Sequence, residues 1–289
     1  MWFLYALLGA VGKSYTGFFR KRMAATVSAS MYMWVTYFLL LVVLSPLMVS
    51  HLAQLGKMFT GAFWVVFGAA FSLMIATQLN LEALKREELS YTAPLNSFVS
   101  IFTLLIAMLF LHENPPRLGI VGILAIFIGA YIINLKPQRL HWYDPLVRLV
   151  TSPGAQLSLG VAFGYAVNTV FMKALSNQGY DDLTILYAII LIGWVLLAFV
   201  PIRKPRELVA TFRSNKAALV GATVSSFAGN FFHILAIAGT YASYAVSVRR
   251  FDSLIAVLLG WRYLKETNIR NKLIGSLVMV AGAIVMALS

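Results

Sequence analysis

The sequence lacks cysteine and has few charged residues. None of its 289 residues is Cys, so disulfides and thiolate metal sites are excluded. Charged residues make up 11% of the chain, whereas about a quarter of the residues in a soluble domain are charged. The low share of charge excludes an ordinary soluble globular protein. The 60% of hydrophobic residues indicates a membrane protein instead.

Motifs of ATP-driven and catalytic proteins are also missing from the sequence. No P-loop is present, so a transport process would have to be driven by a gradient or by exchange. His112-Glu113-Asn114 is not the start of an HExxH zinc motif, and neither a Gly-x-Ser-Gly nucleophile site nor a pair of intramembrane aspartates occurs. We therefore predict neither an enzyme nor a cofactor nor a metal, and an intramembrane enzyme is kept as an alternative.

Long apolar segments are abundant. Each is close to the length of about 20 residues that a helix needs to cross a bilayer. They do not alternate between apolar and polar residues as membrane strands do. The sequence therefore predicts an all-α membrane protein with ten transmembrane helices. The segments cover roughly residues 2–19, 28–49, 61–81, 89–111, 117–135, 153–174, 182–201, 216–239, 241–263 and 269–288.

Basic residues outnumber acidic ones, with 23 Lys and Arg against 10 Asp and Glu. In a soluble protein this excess would suggest nucleic acid, but here most basic residues lie in loops after odd-numbered segments. The loops after even-numbered segments hold three, Lys57, Arg117 and Lys173. The positive-inside rule then places those loops in the cytoplasm and both termini together outside. We predict an integral protein of a prokaryotic plasma membrane, monomeric or homodimeric, that does not bind nucleic acid.

The second half of the chain repeats the first at a constant offset, so that residues 243–288 match residues 90–135 without a gap. Five helices in each half is an odd number, so the two copies must cross the membrane in opposite senses, as an inverted repeat. We predict repeats over 1–135 and 153–289 with a linker over 136–152. The equivalent pairs include Leu111 and Leu264, Glu113 and Glu266, Gly122 and Gly275, and Gly129 and Gly282.

Short motifs at the helix ends point to a known family. They are Ala93-Pro94-Leu95, Leu111-His112-Glu113 and Tyr263-Leu264-Lys265-Glu266, each followed by the repeated glycines. In these the chain resembles the drug/metabolite transporter superfamily, and within it the ten-helix EamA type. Lys21 and Lys173 fit a lysine near the end of the first helix of each half. The resemblance implies a transporter, whose members are usually drawn with cytosolic termini, against the charge pattern. It leaves the substrate open among amino acids, drugs, nucleotide sugars, sugar phosphates and lipid-linked groups.

Three ionisable residues lie close together in the ninth segment: Arg249, Arg250 and Asp252. A charge inside a membrane helix costs about 2.5–3.5 kcal/mol on insertion scales, so such groups face protein or water. Arg249 and Asp252 are three residues apart and are expected to pair, which leaves Arg250 less compensated. The structural interpretation is that Arg250 reaches a helix end or a carbonyl. The functional one is that the arginines bind an anion, because guanidinium matches carboxylate and phosphate oxygens.

A second resemblance concerns the same residues. The arginine pair followed by an apolar stretch to Lys265 is similar to the Lys-Arg pair in the triose-phosphate and nucleotide-sugar transporter branch. In that branch the pair holds phosphate together with a lysine of the sixth helix, and Lys173 lies where this lysine would be expected. Asp252 departs from the pattern, and its carboxylate suggests a cationic group or a proton as a further ligand.

Further residues are candidates for a central site or for a structural role. Asn80 and His233 are equivalent across the repeat and should face the interface between the halves. We interpret the repeated glutamates as helix caps or partners of basic residues. The predicted substrate-binding residues are Arg249, Arg250, Lys173, Asp252, Asn80, His233, Asn168, Lys13 and Tyr15. The predicted structural or gating residues are Lys21, Glu113 and Glu266.

These features predict a secondary active transporter of a small anionic, phosphate-bearing metabolite that works by alternating access, as an antiporter. One alternative is a translocator of phospholipid or polyprenyl-phosphate groups. Another is an exporter of amines or drugs, with Asp252 or Glu82 binding the cation. A channel or a membrane scaffold is a further alternative, although buried charge in a duplicated chain favours a carrier.

Overall fold

The computed structural model describes residues 1–23, 27–86, 95–134, 143–214, 216–255 and 269–289. Every regular element within these ranges is a helix. This confirms the predicted all-α class.

The first half contains six described α-helices. A 3₁₀ turn over Val49–His51 joins the second to the third, and another over Asn96–Phe98 precedes the fifth. The helices are α1 (Trp2–Met23), α2 (Ala29–Met48), α3 (Leu52–Gly61), α4 (Phe63–Arg86), α5 (Val99–Phe110) and α6 (Arg117–Asn134).

The second half follows the same order and adds short helices in its connections. Residues 251–255 are again helical after a turn at Arg250. The helices are α7 (Asp144–Thr151), α8 (Pro153–Asn177), α9 (Asp182–Leu196), α10 (Phe199–Arg203), α11 (Pro205–Ser214), α12 (Lys216–Ala238), α13 (Ala242–Arg249) and α14 (Ile269–Ala287). The predicted linker thus contains a helix, α7.

Five described stretches are long and apolar enough to cross a membrane. They are Ala29–Gly61, Phe63–Asn80, Pro153–Asn177, Asp182–Arg203 and Lys216–Ala238. Shorter apolar helices cover Asn96–Phe110, Arg117–Ile133 and Ile274–Ala287. The chain is therefore an integral membrane protein, while the count of ten spans and the side of the termini stay predictions.

Local sequence sets the start of two of these helices. Pro153 occupies the first turn of α8, where its missing N–H is not needed. Asp181 precedes α9, and its Oδ2 accepts hydrogen bonds from the backbone N–H groups of Leu183 and Thr184, both at 3.1 Å. Such a cap satisfies donors that the first helical turn leaves free.

The two final helices of the halves, α6 and α14, pack through the repeated glycines. A Cβ on Gly122 would lie 2.7 Å from the carbonyl oxygen of Gly282, and a Cβ on Gly129 would lie 2.6 Å from that of Gly275. From Gly122 to Gly129 along α6, the contacting residue on α14 changes from Gly282 to Gly275, so these equivalent helices run antiparallel. Small residues permit this close approach of two backbones in a membrane. The geometry is that of an inverted repeat.

The helix pairs α1–α12 and α4–α8 correspond to each other across the repeat. Gly12 of α1 packs against Gly229, and Gly164 of α8 against Ala76. The ring of Phe19 covers Gly221, and the ring of Phe171 covers Gly68. Each contact in one pair thus has its counterpart in the other pair. The main hydrophobic core lies where these helices meet, with Ala10, Ala69, Ile126, Leu175 and Ile234 among its fully or almost fully buried members.

Two short helices also tie the halves together in equivalent ways. Gln54 of α3 accepts a hydrogen bond from the hydroxyl of Thr184 at the start of α9, at 3.2 Å. Glu207 of α11 accepts one from the backbone N–H of Ser28, the residue that precedes α2. Each connection of one half thereby closes the start of a helix in the other.

The fourth membrane segment of each half is irregular at the same point of the repeat. In the first half the 3₁₀ turn over Asn96–Phe98 interrupts it. In the second, Arg250 N–H bonds the carbonyl of Ser247 and Ser253 N–H bonds the carbonyl of Arg250, both at 3.0 Å. These three-residue spacings tighten the backbone and separate α13 from residues 251–255. The sequence predicts one membrane helix over each segment and does not reveal these irregularities.

Candidate functional site

A group of charged side chains lies where α1 meets the break after α13. Lys13 Nζ lies 2.7 Å from Asp252 Oδ2, so the two residues form an ion pair between the two halves. The hydroxyl of Ser14 donates to the carbonyl oxygen of Asp252 at 2.9 Å and fixes α1 against the break. We call Lys13, Arg249, Arg250 and Asp252 the charged cluster.

Arg249 is held by α12. Its Nη2 donates to the carbonyl oxygen of Gly229 at 3.1 Å and to Asn230 Oδ1 at 3.4 Å. The predicted pairing of Arg249 with Asp252 is therefore wrong, because Asp252 pairs with Lys13. The reason is the turn at Arg250, since residues three apart share a face only where the helix continues between them.

Arg250 reaches across to the irregular segment of the first half. Its Nη1 donates to the carbonyl oxygen of Asn96 at 3.3 Å, and the residue is 8% exposed. The two interrupted segments of the repeat therefore meet at this contact. Interrupted helices at the interface of inverted repeats are where transporters place their substrate sites.

Several polar atoms around the cluster are buried and have no hydrogen-bond partner within the described residues. They include both arginine Nε atoms and Asp252 Oδ1. His233, 3% exposed on α12, interacts electrostatically with Lys13 and both arginines, and its Nδ1 is also without a partner there. Buried polar groups are normally satisfied, so this concentration of unused donors and acceptors indicates a place where a ligand completes the hydrogen bonding.

The charged cluster has an excess of positive charge. Within the described part of the chain it combines three cationic side chains with the single carboxylate of Asp252. The acceptors of the two arginines, the carbonyls of Gly229 and Asn96 and the amide of Asn230, are uncharged. Two positive charges are thus without a counter-charge among the described residues.

Lys173 is a residue of α8, and its side chain reaches a different place, the connection between α12 and α13. Its Nζ donates to the carbonyl oxygens of Ile237 at 2.8 Å and Thr240 at 2.9 Å. A cation at a helix C-terminus satisfies carbonyls that the last turn leaves free. The structure therefore brings Lys13, and not Lys173, to the arginine pair.

Glu113 closes the other side of the same connection. His112 has a left-handed φ of 53° that ends α5, and the next residue turns toward α13. Both carboxylate oxygens of Glu113 accept the backbone N–H of Ala242, at 2.9 and 3.1 Å. Burial raises the pKa of Glu113, while the Ala242 N–H and the ammonium of Lys173 oppose the rise. The geometry is that of a helix cap, one of the roles that the sequence favours.

We call Glu113, Lys173 and the connection between α12 and α13, which both side chains contact, the junction. A cavity of about 520 Å³ lies there, apart from the charged cluster. Its lining residues are Leu111, His112, Glu113, Asn114, Lys173, Asn177, Thr240 and Tyr241.

The remaining predicted residues make no hydrogen bond or ion pair with the charged cluster in the part of the chain that the structure describes, or they lie outside the described residues. Asn168 Nδ2 donates to the carbonyl oxygen of Ala69 at 2.8 Å and joins α8 to α4. Tyr15 is 41% exposed on α1, and Asn80 is half-buried on α4. The side chain of Lys21 and all of Glu266 lie outside the described residues. Sequence reasoning missed Ser14 and Gly229, whose roles depend on how α1 and α12 align.

Comparison with known proteins bears on the chain as a whole. The model of the EamA-like transporter family matches residues 1–135 and again residues 152–288. No curated protein sequence gives a significant match. The fold is similar to that of a protein known from a crystal structure, with a TM-score of 0.71 and 12% identity over 99% of this chain and 96% of that one. At this identity the likeness concerns the fold alone.

Proposed function

The chain belongs to the EamA-like transporter family and is a membrane transporter, and we propose that it is a secondary active transporter of a small anionic, phosphate-bearing metabolite. It would work by alternating access as an antiporter. The family match itself leaves the substrate open. The proposal therefore rests on the chemistry of the charged cluster.

The observation that carries the proposal is an arginine pair without a counter-charge among the described residues, in which Arg250 is buried and Arg249 is half-buried. Both donate through Nη atoms to uncharged acceptors, and neither Nε has a partner among the described residues. A guanidinium presents its donors in a planar fork that fits two oxygens of a phosphate or carboxylate. An anion bound here would supply the acceptors and the charge that the surrounding protein does not.

The contacts of the charged cluster also suggest how binding would be linked to movement. Lys13–Asp252 and Arg250–Asn96 both join the first half to the second, whereas Arg249 is bound within the second half. An anion that takes over donors of Arg250 would compete with the contact to Asn96. Binding would thereby change the contacts on which the relative position of the halves depends.

The alternatives differ in the ligand that the charged cluster would accept. An amine exporter would use Asp252, but this carboxylate is already paired with Lys13. A translocator of phospholipid or polyprenyl-phosphate groups would use the same arginines for a phosphate on a lipid. Both alternatives are outcomes of the experiment below.

Transport by purified protein in liposomes tests the proposal. Arg250→Ala should lower exchange of radiolabelled sugar phosphates by at least about 100-fold, because the residue is buried at the proposed site. Arg206→Ala, the same change at an exposed residue of α11, is the matched control and should transport normally. Undiminished exchange by Arg250→Ala would contradict the proposal. Competition by organic amines alone would favour the exporter, and movement of lipid-linked phosphates alone would favour the translocator.

A further inference from the structure

We propose that the Lys13–Asp252 pair sets the charge of the substrate, so that the site selects anions with two negative charges. The inference rests on the proposed function and adds the property by which the site would distinguish its substrate from other anions. The side chains of Lys13 and Asp252 are 32% and 14% exposed. Arg250 is more deeply buried, at 8%. The pair thus borders the more accessible side of the charged cluster.

Lys13 and Asp252 neutralise each other's charge within the pair. Lys13 Nζ and Asp252 Oδ2 lie 2.7 Å apart, and their charges cancel at short range. The remaining charges are those of Arg249 and Arg250, which donate to carbonyl oxygens. A buried charge without a counter-charge is costly by several kcal/mol. A dianion removes both uncompensated charges, whereas a monoanion leaves one.

Some hydrogen-bond donors of the two arginines have no partner among the described residues and are open to a ligand. The Nε atoms of Arg249 and Arg250 are buried without partners among the described residues. The edge formed by Nε–H and Nη2 can hold two oxygens of one oxoanion. Among the described residues this edge of Arg250 has no partner, whereas Nη2 of Arg249 already donates to Gly229 and Asn230, so that Arg249 offers its Nε–H alone. A phosphate monoester carries three terminal oxygens and, well above its second pKa of about 6, two negative charges.

Asp252 limits the net positive charge of the site. With Asp252 ionised the charged cluster has two positive charges in excess, and without it the excess would be three. Lys13 interacts electrostatically with both arginines as well as with Asp252. Removal of the ammonium alone would therefore lower the excess to one. The preferred ligand charge should follow these changes.

Two small anions of the same shape test this dependence on charge. Methyl phosphate is largely a dianion at pH 7.5, whereas methyl sulfate is a monoanion, and the methyl group adds little bulk to either. Binding of each to the full-length protein in detergent is measured by isothermal titration calorimetry. We expect the wild type to bind methyl phosphate at least about tenfold more tightly than methyl sulfate.

Three variants remove one or both charges of the Lys13–Asp252 pair with little change of shape. Lys13→Met should reduce the preference for methyl phosphate to about onefold, because the excess falls to one. The double variant Lys13→Met/Asp252→Asn restores an excess of two and should regain the preference. Asp252→Asn alone should tighten the binding of both anions. If Lys13→Met does not fold, the double variant still decides the test, because its ratio of methyl phosphate affinity to methyl sulfate affinity must equal that of the wild type.

The outcomes separate this inference from the proposed function. Equal binding of the two anions by the wild type would overturn the inference and leave an anion site in place. A preference that persists in Lys13→Met, or is absent from the double variant, would overturn it in the same way. Binding of neither anion by the wild type would contradict the proposed function as well.

Discussion

The junction and the charged cluster both hold buried cationic side chains, and their surroundings differ. At the junction, Lys173 donates to the carbonyls of Ile237 and Thr240, and Glu113 accepts the N–H of Ala242. These charges are used to close two helix ends. At the charged cluster, each arginine makes part of its possible hydrogen bonds, and its Nε has no partner in the ranges that the structure describes. Similar residue types therefore support structure in one place and leave donors for a ligand in the other.

The difference shows why burial of a charge is not by itself a sign of function. Lys173 and Arg250 are 9% and 8% exposed, which is almost the same. Their hydrogen bonds distinguish them, because helix ends supply backbone groups that need partners. Lys173 donates to two carbonyls at such an end, whereas Arg250 donates to one carbonyl, that of Asn96, within the described part of the chain. Four experiments probe this comparison.

The largest effect is expected from removal of both arginine charges. The double variant Arg249→Gln/Arg250→Gln keeps hydrogen-bond donors but should lower transport by more than about 100-fold. Its unfolding temperature in detergent should be unchanged or higher, because buried charges without a counter-charge oppose folding. A large loss of thermal stability would show that the arginines are structural, as Lys173 is.

Lys173→Met tests the junction. The substitution leaves the carbonyls of Ile237 and Thr240 without their donor, which should cost about 2–3 kcal/mol of stability. Thermal unfolding in detergent measures the loss, with Lys57→Met at an exposed position as the control. The folded fraction should bind phosphate as the wild type does. Weakened phosphate binding in the folded protein would assign Lys173 to the substrate site.

A smaller effect is expected at Glu113. Glu113→Ala leaves the N–H of Ala242 unpaired and should destabilise the protein by about 1–2 kcal/mol. Glu113→Gln keeps an acceptor and removes a charge that burial opposes, so its cost should be below about 1 kcal/mol. The two variants are compared by thermal unfolding. Equal losses would mean that the carboxylate charge, and not the acceptor, matters.

The smallest effect is expected at Glu207, an acidic helix cap that lies nearer to water. Burial opposes its charge, but hydrogen bonds from Ser28 and the nearby Lys204 outweigh this and hold the pKa of Glu207 below its usual range. The resulting stability is present above the ordinary pKa and is lost as the pH falls through the lowered one. Unfolding temperatures between pH 6 and pH 3 should therefore fall less in Glu207→Gln than in the wild type. Parallel profiles would contradict this.

Much of the fold follows from the sequence, because apolar length and the repeat are properties of the chain itself. The predicted segments 153–174 and 216–239 correspond closely to α8 and α12. Apolar length does not predict the breaks at Asn96–Phe98 and at Arg250, although Pro94 lies two residues before the first of them. They depend on packing between the halves, which hydropathy does not report.

The candidate site was predicted in part for the same reason. Arg250 and Asp252 are unusual already in the sequence, because charge inside an apolar segment is visible without a structure. The resemblance places Lys173 beside the arginine pair, and the sequence cannot show that Lys13, on the equivalent first helix of the other half, lies there instead. The choice depends on how α1 aligns with α12, and the contact of Gly12 with Gly229 sets that alignment.

The central claim is that the arginines of the charged cluster, and not Lys173, bind the anion. Isothermal titration of inorganic phosphate into wild type, Arg250→Gln and Lys173→Met in detergent tests this most directly. We expect phosphate to bind wild type and folded Lys173→Met with similar affinity, and to bind Arg250→Gln at least about tenfold more weakly. Binding that is lost in Lys173→Met and retained in Arg250→Gln would contradict the claim and move the anion site to the junction.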